Sequence, residues 1–489
     1  MKKYFLALAS LLLCCAINAQ SYKEPHRPQI HFSPEAHWMN DPNGMVYANG
    51  TYHLFYQYYP GATVWGPMHW GHATSKDMIS WKNEPVALYP DSLGYIFSGS
   101  AVLDVNNTSG FGKNGKAPLV AIFTHHDPKG EKAGTSTYQT QSIAYSLDDG
   151  KSWTKYTGNP VLKNPGIKDF RDPKVNWYEA GKKWIMTLAT LDRITFYSSV
   201  NLKDWKKESE FGKTLGAHGG VWECPDLFPL KHNGEDVWVL IVNINPGGPN
   251  KGPATQYFTG KFDGNTFTTN QQGTKWLDYG PDEYAGITWG NTGDRKVFYG
   301  WMSNWQYANV VPTEKWRSAM TIPRELKMEK IGNDYLVAST PVKELRRIES
   351  TVTKSYFSNL EFSSGPSKLS FTADKIESFS LTLSNDAGEQ VVIGYDKASN
   401  KYFIDRTKSG KVSFEKGFAA KHVAPRFATV PAMDLTLVID DASVELFADN
   451  GLTVMTEIFF PNKPYSKLSF KGDALKVKAV NFSKLKSIW

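Results

Sequence analysis

Cysteine is scarce: the 489 residues hold three, Cys14, Cys15 and Cys224. The first two fall in a leader. Lys2 and Lys3 precede the apolar run Tyr4 to Cys15, and Ile17-Asn18-Ala19 predicts a signal peptide of residues 1–19, cleaved after Ala19. The mature chain then keeps one thiol, so no intramolecular disulfide can brace it and its core must do so. A lipid on Cys14 or Cys15 is the alternative; Leu13 disfavours it, because a small residue is wanted there. Beyond the leader no run is long and apolar enough to cross a bilayer, so stable membrane insertion is not expected. Basic runs are missing as well. The formal charge of +7, which drops to +5 without Lys2 and Lys3, is scattered in short pairs and leaves no footprint for nucleic acid. Helix-period patterning is almost absent. Tryptophan disappears after Trp316 apart from Trp489, which marks a change of domain near residue 345.

What remains is β-type sequence rich in aromatics, at 14% of residues with 16 tryptophans. Such rings either fill sheet cores or stack on flat sugar faces. Five apolar runs recur, starting at His53, Leu119, Trp184, Val237 and Lys296, with separations of 66, 65, 53 and 59 residues. The first three are followed by a further strand, a Ser-rich turn and a tryptophan: Ser75 to Trp81, Ser146 to Trp153, and Ser199 to Trp205. A four-strand unit repeated five times predicts a β-propeller over residues 27–340. An irregularly spaced sandwich is the alternative that the repeat argues against. Short alternating strands beyond Lys354 predict a β-sandwich over residues 354–489. The expected fold is therefore all-β: a five-bladed β-propeller followed by a C-terminal β-sandwich, and the chain is expected to be a monomer.

Acids fall at related places in the repeat. Asp41 and Asp172 each lie twelve residues before their apolar run, and Glu223 and Asp282 each lie fifteen before Trp238 and Val297. Pro42, Pro173 and Pro225 follow closely and free the local backbone from a ladder. If the repeats are equivalent, the four carboxylates meet at one mouth of a central channel. A structural cation or an ion-pair cluster around Arg171 would be one use for them. Glycoside cleavage is the other, since it needs one ionised carboxylate and one protonated carboxyl. Asp41 sits among the amides of Asn40 and Asn43, which favour charge. Glu223 lies between Trp222 and Cys224, an apolar setting that favours the proton, and Asp172 beside Arg171 is expected to stay charged. Cys224 reads as a packed thiol. His69, His72, His125 and His126 read as lining or core groups, with no metal and no cofactor expected.

The stretch Trp38-Met39-Asn40-Asp41-Pro42-Asn43-Gly44, the triplet Arg171-Asp172-Pro173 and Glu223-Cys224-Pro225 resemble the three signature motifs of glycoside hydrolase family 32. Phe55-Tyr56-Gln57, Trp65 to His72, Phe97 to Ser100 and Gly300 to Tyr307 extend the resemblance from about His31 to Leu326. It implies a retaining mechanism with Asp41 as nucleophile, Glu223 as acid/base and Asp172 as transition-state stabiliser, the retaining pair standing about 5–5.5 Å apart. It also implies that Asn40, Gln57, Trp65, Phe97, Ser98 and Arg171 bind fructose, together with one of Trp301 and Trp305; Asp282, placed by its spacing in the repeat, is a further substrate-binding candidate. The implied substrates are levan, inulin or sucrose, attacked from the chain end to release fructose by an exported, periplasmic or extracellular enzyme. Endo-levanase, fructosyltransferase and non-catalytic fructan-binding protein are the alternatives. Glu283 stands where many relatives carry an aromatic, a departure expected near the mouth.

Overall fold

The computed structural model describes residues 22–472 and 474–489. The predicted leader, with Cys14 and Cys15, lies outside the described residues. Five antiparallel sheets of four main strands each form the N-terminal part. Their first strands are His37–Ala48, Tyr95–Leu103, Phe170–Tyr178, Val221–His232 and Tyr284–Thr288. Each first strand packs against the next and the fifth packs back on the first, so the ring closes as a five-bladed propeller. The apolar runs seen in the sequence become the second strand of each blade. These read as continuous hydrophobic stretches because both faces are covered by neighbouring blades; Leu119–His126 is buried at every position.

The Ser-rich turns have a shared local cause. Ser75 Oγ accepts from the backbone N–H groups of Asp77 and Met78, and Asp77 Oδ1 accepts from Ile79 and Ser80. Ser199 and Asn201 repeat the arrangement two blades later. Side chains that hydrogen-bond their own backbone stabilise the turn and let Met78 and Leu202 take positive φ (65° and 62°) while staying buried. The seam between blades five and one is pinned at both ends. Trp316–Arg317 adds in parallel to His37–Trp38, and Gly290 exchanges backbone bonds with Met45 and Tyr47.

A six-stranded and a five-stranded sheet then form the sandwich. Ser367–Ala373 and Phe379–Ser384 alternate buried and less buried positions, as strands with one core face should. Leu369, Phe371, Leu381, Leu383, Leu435 and Leu446 share that core. Ser443–Ala448 and Thr453–Ile458 are instead buried throughout, because their outer face docks on the propeller. Phe447 and Val454 join the propeller's own apolar cluster there.

Charge is buried in this interface. Glu445 accepts from Arg324 Nε (2.9 Å) and Ile322 N (2.8 Å) and meets His31 Nε2 (2.9 Å), while Asp440 meets His31 Nδ1 (2.7 Å). Arg324 also donates to Asp278 (2.8 Å). Burial alone would push the His31 imidazole down, but its bonds to Asp440 and Glu445 outweigh burial and lift it to about 9. A histidine raised in the folded state stabilises fully below its unfolded pKa near 6.5 and loses that contribution as pH rises through 9. Unfolding free energies measured from pH 6 to 9.5 are therefore expected to fall, by about 3 kcal/mol in all from this group. His31→Gln should remove that part of the slope; an unchanged slope would refute the assignment.

Candidate active site

Each first strand breaks its ladder near one end. The register slips between Met39 and Pro42, Ile96 and Gly99, Glu223 and Asp226, and Tyr284 and Ile287; in the third blade it slips opposite the stretch from Arg171 to Lys174. These are β-bulges, which re-aim side chains and end pairing. Pro173 and Pro225 fall inside them and Pro42 closes the first, and none has an N–H to leave unpaired. Asp172, Cys224 and Ala285 hold positive φ (63°, 42° and 54°) at one shared bulge position. Gly44 (φ +56°), just past the first bulge, has no room for a side chain: the Phe55 and Trp70 rings occupy the space.

The bulges gather Asn40, Asp41, Gln57, Trp65, Phe97, Ser98, Arg171, Asp172, Glu223 and Trp305 around one cavity of about 210 Å³. The carboxylates are staggered across the bulges rather than placed at one equivalent position. By ladder register Glu223 corresponds to Arg171 and Tyr284, Asp172 comes one residue later, and Asp41 another residue later still.

Asp41 is held from both sides. Asn40 Nδ2 donates to Oδ1 (2.9 Å), and Ser98 Oγ (2.8 Å) and Cys224 Sγ (3.4 Å) donate to Oδ2. Asp172 Oδ2 accepts from the Cys224 backbone N–H (3.0 Å) and faces its thiol at 3.6 Å. Cys224 thus ties the two aspartates together, and it is more than the packed thiol expected. Burial, followed by the nearby carboxylates, pushes its thiol well up, so it is a neutral donor. Glu223 Oε1 accepts from Arg171 Nε and Nη2 (3.2 and 3.0 Å), and Oε2 accepts from the Tyr284 hydroxyl. Arg171 Nη1 goes to Asp169 (2.6 Å).

These contacts correct the expected environments. Glu223 does not sit in an apolar setting: strand alternation sends Trp222 into the core between blades three and four, and a guanidinium and a phenol take the carboxylate. Arg171 serves Glu223 and Asp169 with its hydrogen bonds. Asp172 is pushed up to about 7, chiefly by burial; Arg171 pulls it down, and Glu223 and Asp41 push it further up. Asp41 is also raised, by burial and then by Glu223, against its three donors. Several carboxyls crowded around one guanidinium favour a ligand that develops positive charge.

Three expected residues lie elsewhere. Asp282 is fully buried in the domain interface, where it accepts from Arg406 Nη1 (2.5 Å), Ile458 N (2.9 Å) and the Tyr307 hydroxyl. Spacing misplaced it because the bulge makes Tyr284, two residues on, the counterpart of Glu223. Trp301 is buried with its indole N–H on Met39 O (3.1 Å), so Trp305 is the member of that pair that lines the cavity. Glu283 turns away from the mouth, its carboxyl filling the space left by the absent side chains of Gly286 and Gly300. Burial, then Asp278, pushes it up to about 8.

Sequence reasoning missed Tyr284, Glu131, Gln139 and Asp169. The last three line the cavity, as does His126, read as a lining or core group, which lies flat on Phe97 with centroids 4.2 Å apart. The signal for Tyr284 was the bulge offset; for the others there was none in a single sequence. Gln57 Nε2 is buried without a hydrogen-bond partner among the described residues and lines the cavity, where a ligand hydroxyl would satisfy it. Asp282→Ala should lower stability by about 3–5 kcal/mol, because Arg406 is left buried without one of its carboxylates. Chemical denaturation would check this, and a loss below 1 kcal/mol would contradict it.

Residues 31–340 match the Glycosyl hydrolases family 32 N-terminal domain, and residues 337–487 match the Glycosyl hydrolases family 32 C terminal. The chain is 45% identical to a Bacillus subtilis protein named levanase, over 99% of this chain and 75% of that one. It is 41% identical to an extracellular exo-inulinase of Aspergillus niger, over all of both chains. The crystal structure of an exo-inulinase from Aspergillus awamori superposes with a TM-score of 0.87 at 38% identity, covering 96% of this chain and 100% of that chain.

Proposed function

Because the chain belongs to glycosyl hydrolase family 32, we propose that it hydrolyses β-fructosidic bonds of fructans and sucrose with retention, working from the chain end and releasing fructose. The observation that carries this reading is the cavity of about 210 Å³ in which Asp41, Asp172 and Glu223 meet beside the rings of Trp65, Phe97 and Trp305. A pocket of this size takes a terminal sugar, whereas internal attack needs a groove open at both ends.

Asp41 attacks the anomeric carbon of the terminal fructosyl unit while Glu223 gives its proton to the leaving glycosidic oxygen. The C–O bond to the leaving sugar breaks and an ester to Asp41 forms. Glu223, now a carboxylate, takes a proton from water. The water oxygen bonds to the same carbon, the ester breaks, and Asp41 leaves as a carboxylate. The staggered bulges supply the orientation. Asn40 and Ser98 each fix one Asp41 oxygen, and Arg171 and Tyr284 each fix one Glu223 oxygen. Asp172, Asn40 and Gln57 offer groups for sugar hydroxyls, and Trp65, Phe97 and Trp305 form apolar walls. The crowded negative charge stabilises the oxocarbenium-like transition state. The leader and the extracellular relatives support export.

Levan, inulin and sucrose supplied separately should each yield free fructose from the first time point, and the fastest would name the preferred substrate. Early oligosaccharides from levan would overturn the chain-end reading. Glu223→Gln should cut turnover by about 10²–10⁴-fold with fructan binding retained, and full activity would refute its role. Asp41→Asn should leave no fructosyl adduct to trap. Tyr284→Phe is expected to lower kcat about 10–100-fold with KM little changed, since it removes one hydrogen bond to a charged group.

A further inference from the structure

The five first strands have a second end, and it too converges on a cavity. Val46, Leu103, Trp177, Phe228 and Gly290, one from each blade in turn, line a cleft of about 720 Å³ at the mouth opposite the acids. Between the two mouths Lys174 is buried, its Nζ 3.0 Å from Asp226 Oδ2 and 2.5 Å from Thr288 O. Thr288 closes the knot by donating its N–H and hydroxyl to the same Asp226 oxygen, both at 2.7 Å.

The lining of this second mouth has a definite chemistry. Trp177, Tyr178 and Trp238 are half-buried and present aromatic surface to the cleft. Trp177 is held edge-on to Trp184, with centroids 5.0 Å apart, and its N–H is engaged by Glu179 Oε2 (2.6 Å), so what it offers is ring. Asn106, Asn291 and Thr292 also line it, with Asn291 Nδ2 donating to Tyr47 O (2.8 Å) and the Thr292 hydroxyl to Arg295 O (2.6 Å). The charged groups are mostly acids: Glu179, Asp236 and Asp294 line the cleft, and its lining lysine, Lys296, donates to Gly293 O (2.7 Å). Glu179 is paired with Lys182 and Asp236 with Lys231 (2.7 Å), so the mouth offers little net charge of either sign to a ligand. The volume falls in the range of small-molecule sites, and rings set among neutral polar groups suit a polyhydroxylated, uncharged ligand.

We propose that this mouth is a second, non-hydrolytic carbohydrate site that holds a run of a β-fructan chain while the pocket on the other face trims chain ends. Its acids Glu179 and Asp236 are held by Lys182 and Lys231, and the buried Lys174–Asp226 pair lies between it and Asp41. The inference rests on the proposed function for the identity of the sugar.

The test compares the unmodified chain with Trp177→Ala and Asn106→Arg, the second placing a bulky side chain from an exposed position into the cleft with little risk to folding. Turnover of sucrose and of levan is measured for each. Retention on immobilised levan is measured in a Glu223→Gln background, so that nothing is consumed. Expected are unchanged kcat/KM for sucrose, KM for levan raised about tenfold, and retention on levan lost to a similar degree. Levan KM and retention within twofold of the parent for Asn106→Arg, with sucrose turnover intact, would overturn the second site and leave the first untouched. A parent that turns over neither sugar would instead defeat the proposed function, and retention on levan still lost in the Asn106→Arg chain would then support the cleft as a binding site by itself.

Discussion

Everything at the working end of the propeller depends on one backbone constraint: all five central strands must abandon their ladder at the same height. A regular strand would aim alternate side chains into the flanking blades and leave the mouth lined by peptide groups. The bulge turns side chains toward the axis, and the residues following it resume pairing at once, so the aim is fixed by sheet on one side and turn on the other. Strain is held there. Asp172 and Cys224 sit at positive φ, where few residues other than glycine are found, and the surrounding hydrogen bonds determine those conformations. Cys224 shows the economy of the arrangement: its backbone N–H secures one aspartate, its thiol reaches both, and its neighbour is the glutamate.

The sandwich supports this rim from behind. Asp282 and Asp278, on the approach to the fifth central strand, are anchored by Arg406 and Arg324, and Glu445 and Glu457 of the sandwich complete the two ionic clusters. Buried ion pairs add little net free energy over well-packed apolar groups, but a misdocked interface would strand a charge in a dry environment. They therefore fix where the sandwich sits, and so where the strand carrying Tyr284 starts.

The repeat was legible because all five blades keep an apolar second strand and the first three follow it with a turn built by Ser and Asp or Asn and then a tryptophan. The site was legible to within the length of a bulge. Counting residues located Asp41, Asp172 and Glu223 near one mouth, but counting cannot see an extra residue in a strand, so Asp282 stood in for Tyr284. The expected surroundings of Glu223 failed for a related reason. Neighbours in sequence point to opposite faces, and the groups that reach a carboxylate come from other blades. The ion pairs between domains join residues more than a hundred positions apart, such as Arg324 and Glu445, and no local pattern announces them.

The stagger of the acids has a genealogical consequence. A propeller grows by duplication, and a copied blade brings its bulge with the same offset. Here the three acids come from different steps of that bulge: Glu223 from the last paired residue before it, Asp172 from the next position and Asp41 from the one after. Copying any one blade into its neighbour's place would reproduce the architecture and erase the chemistry. Exchange of blades between relatives would likewise carry one functional group at a time, so the ring is modular in shape but indivisible as a reagent.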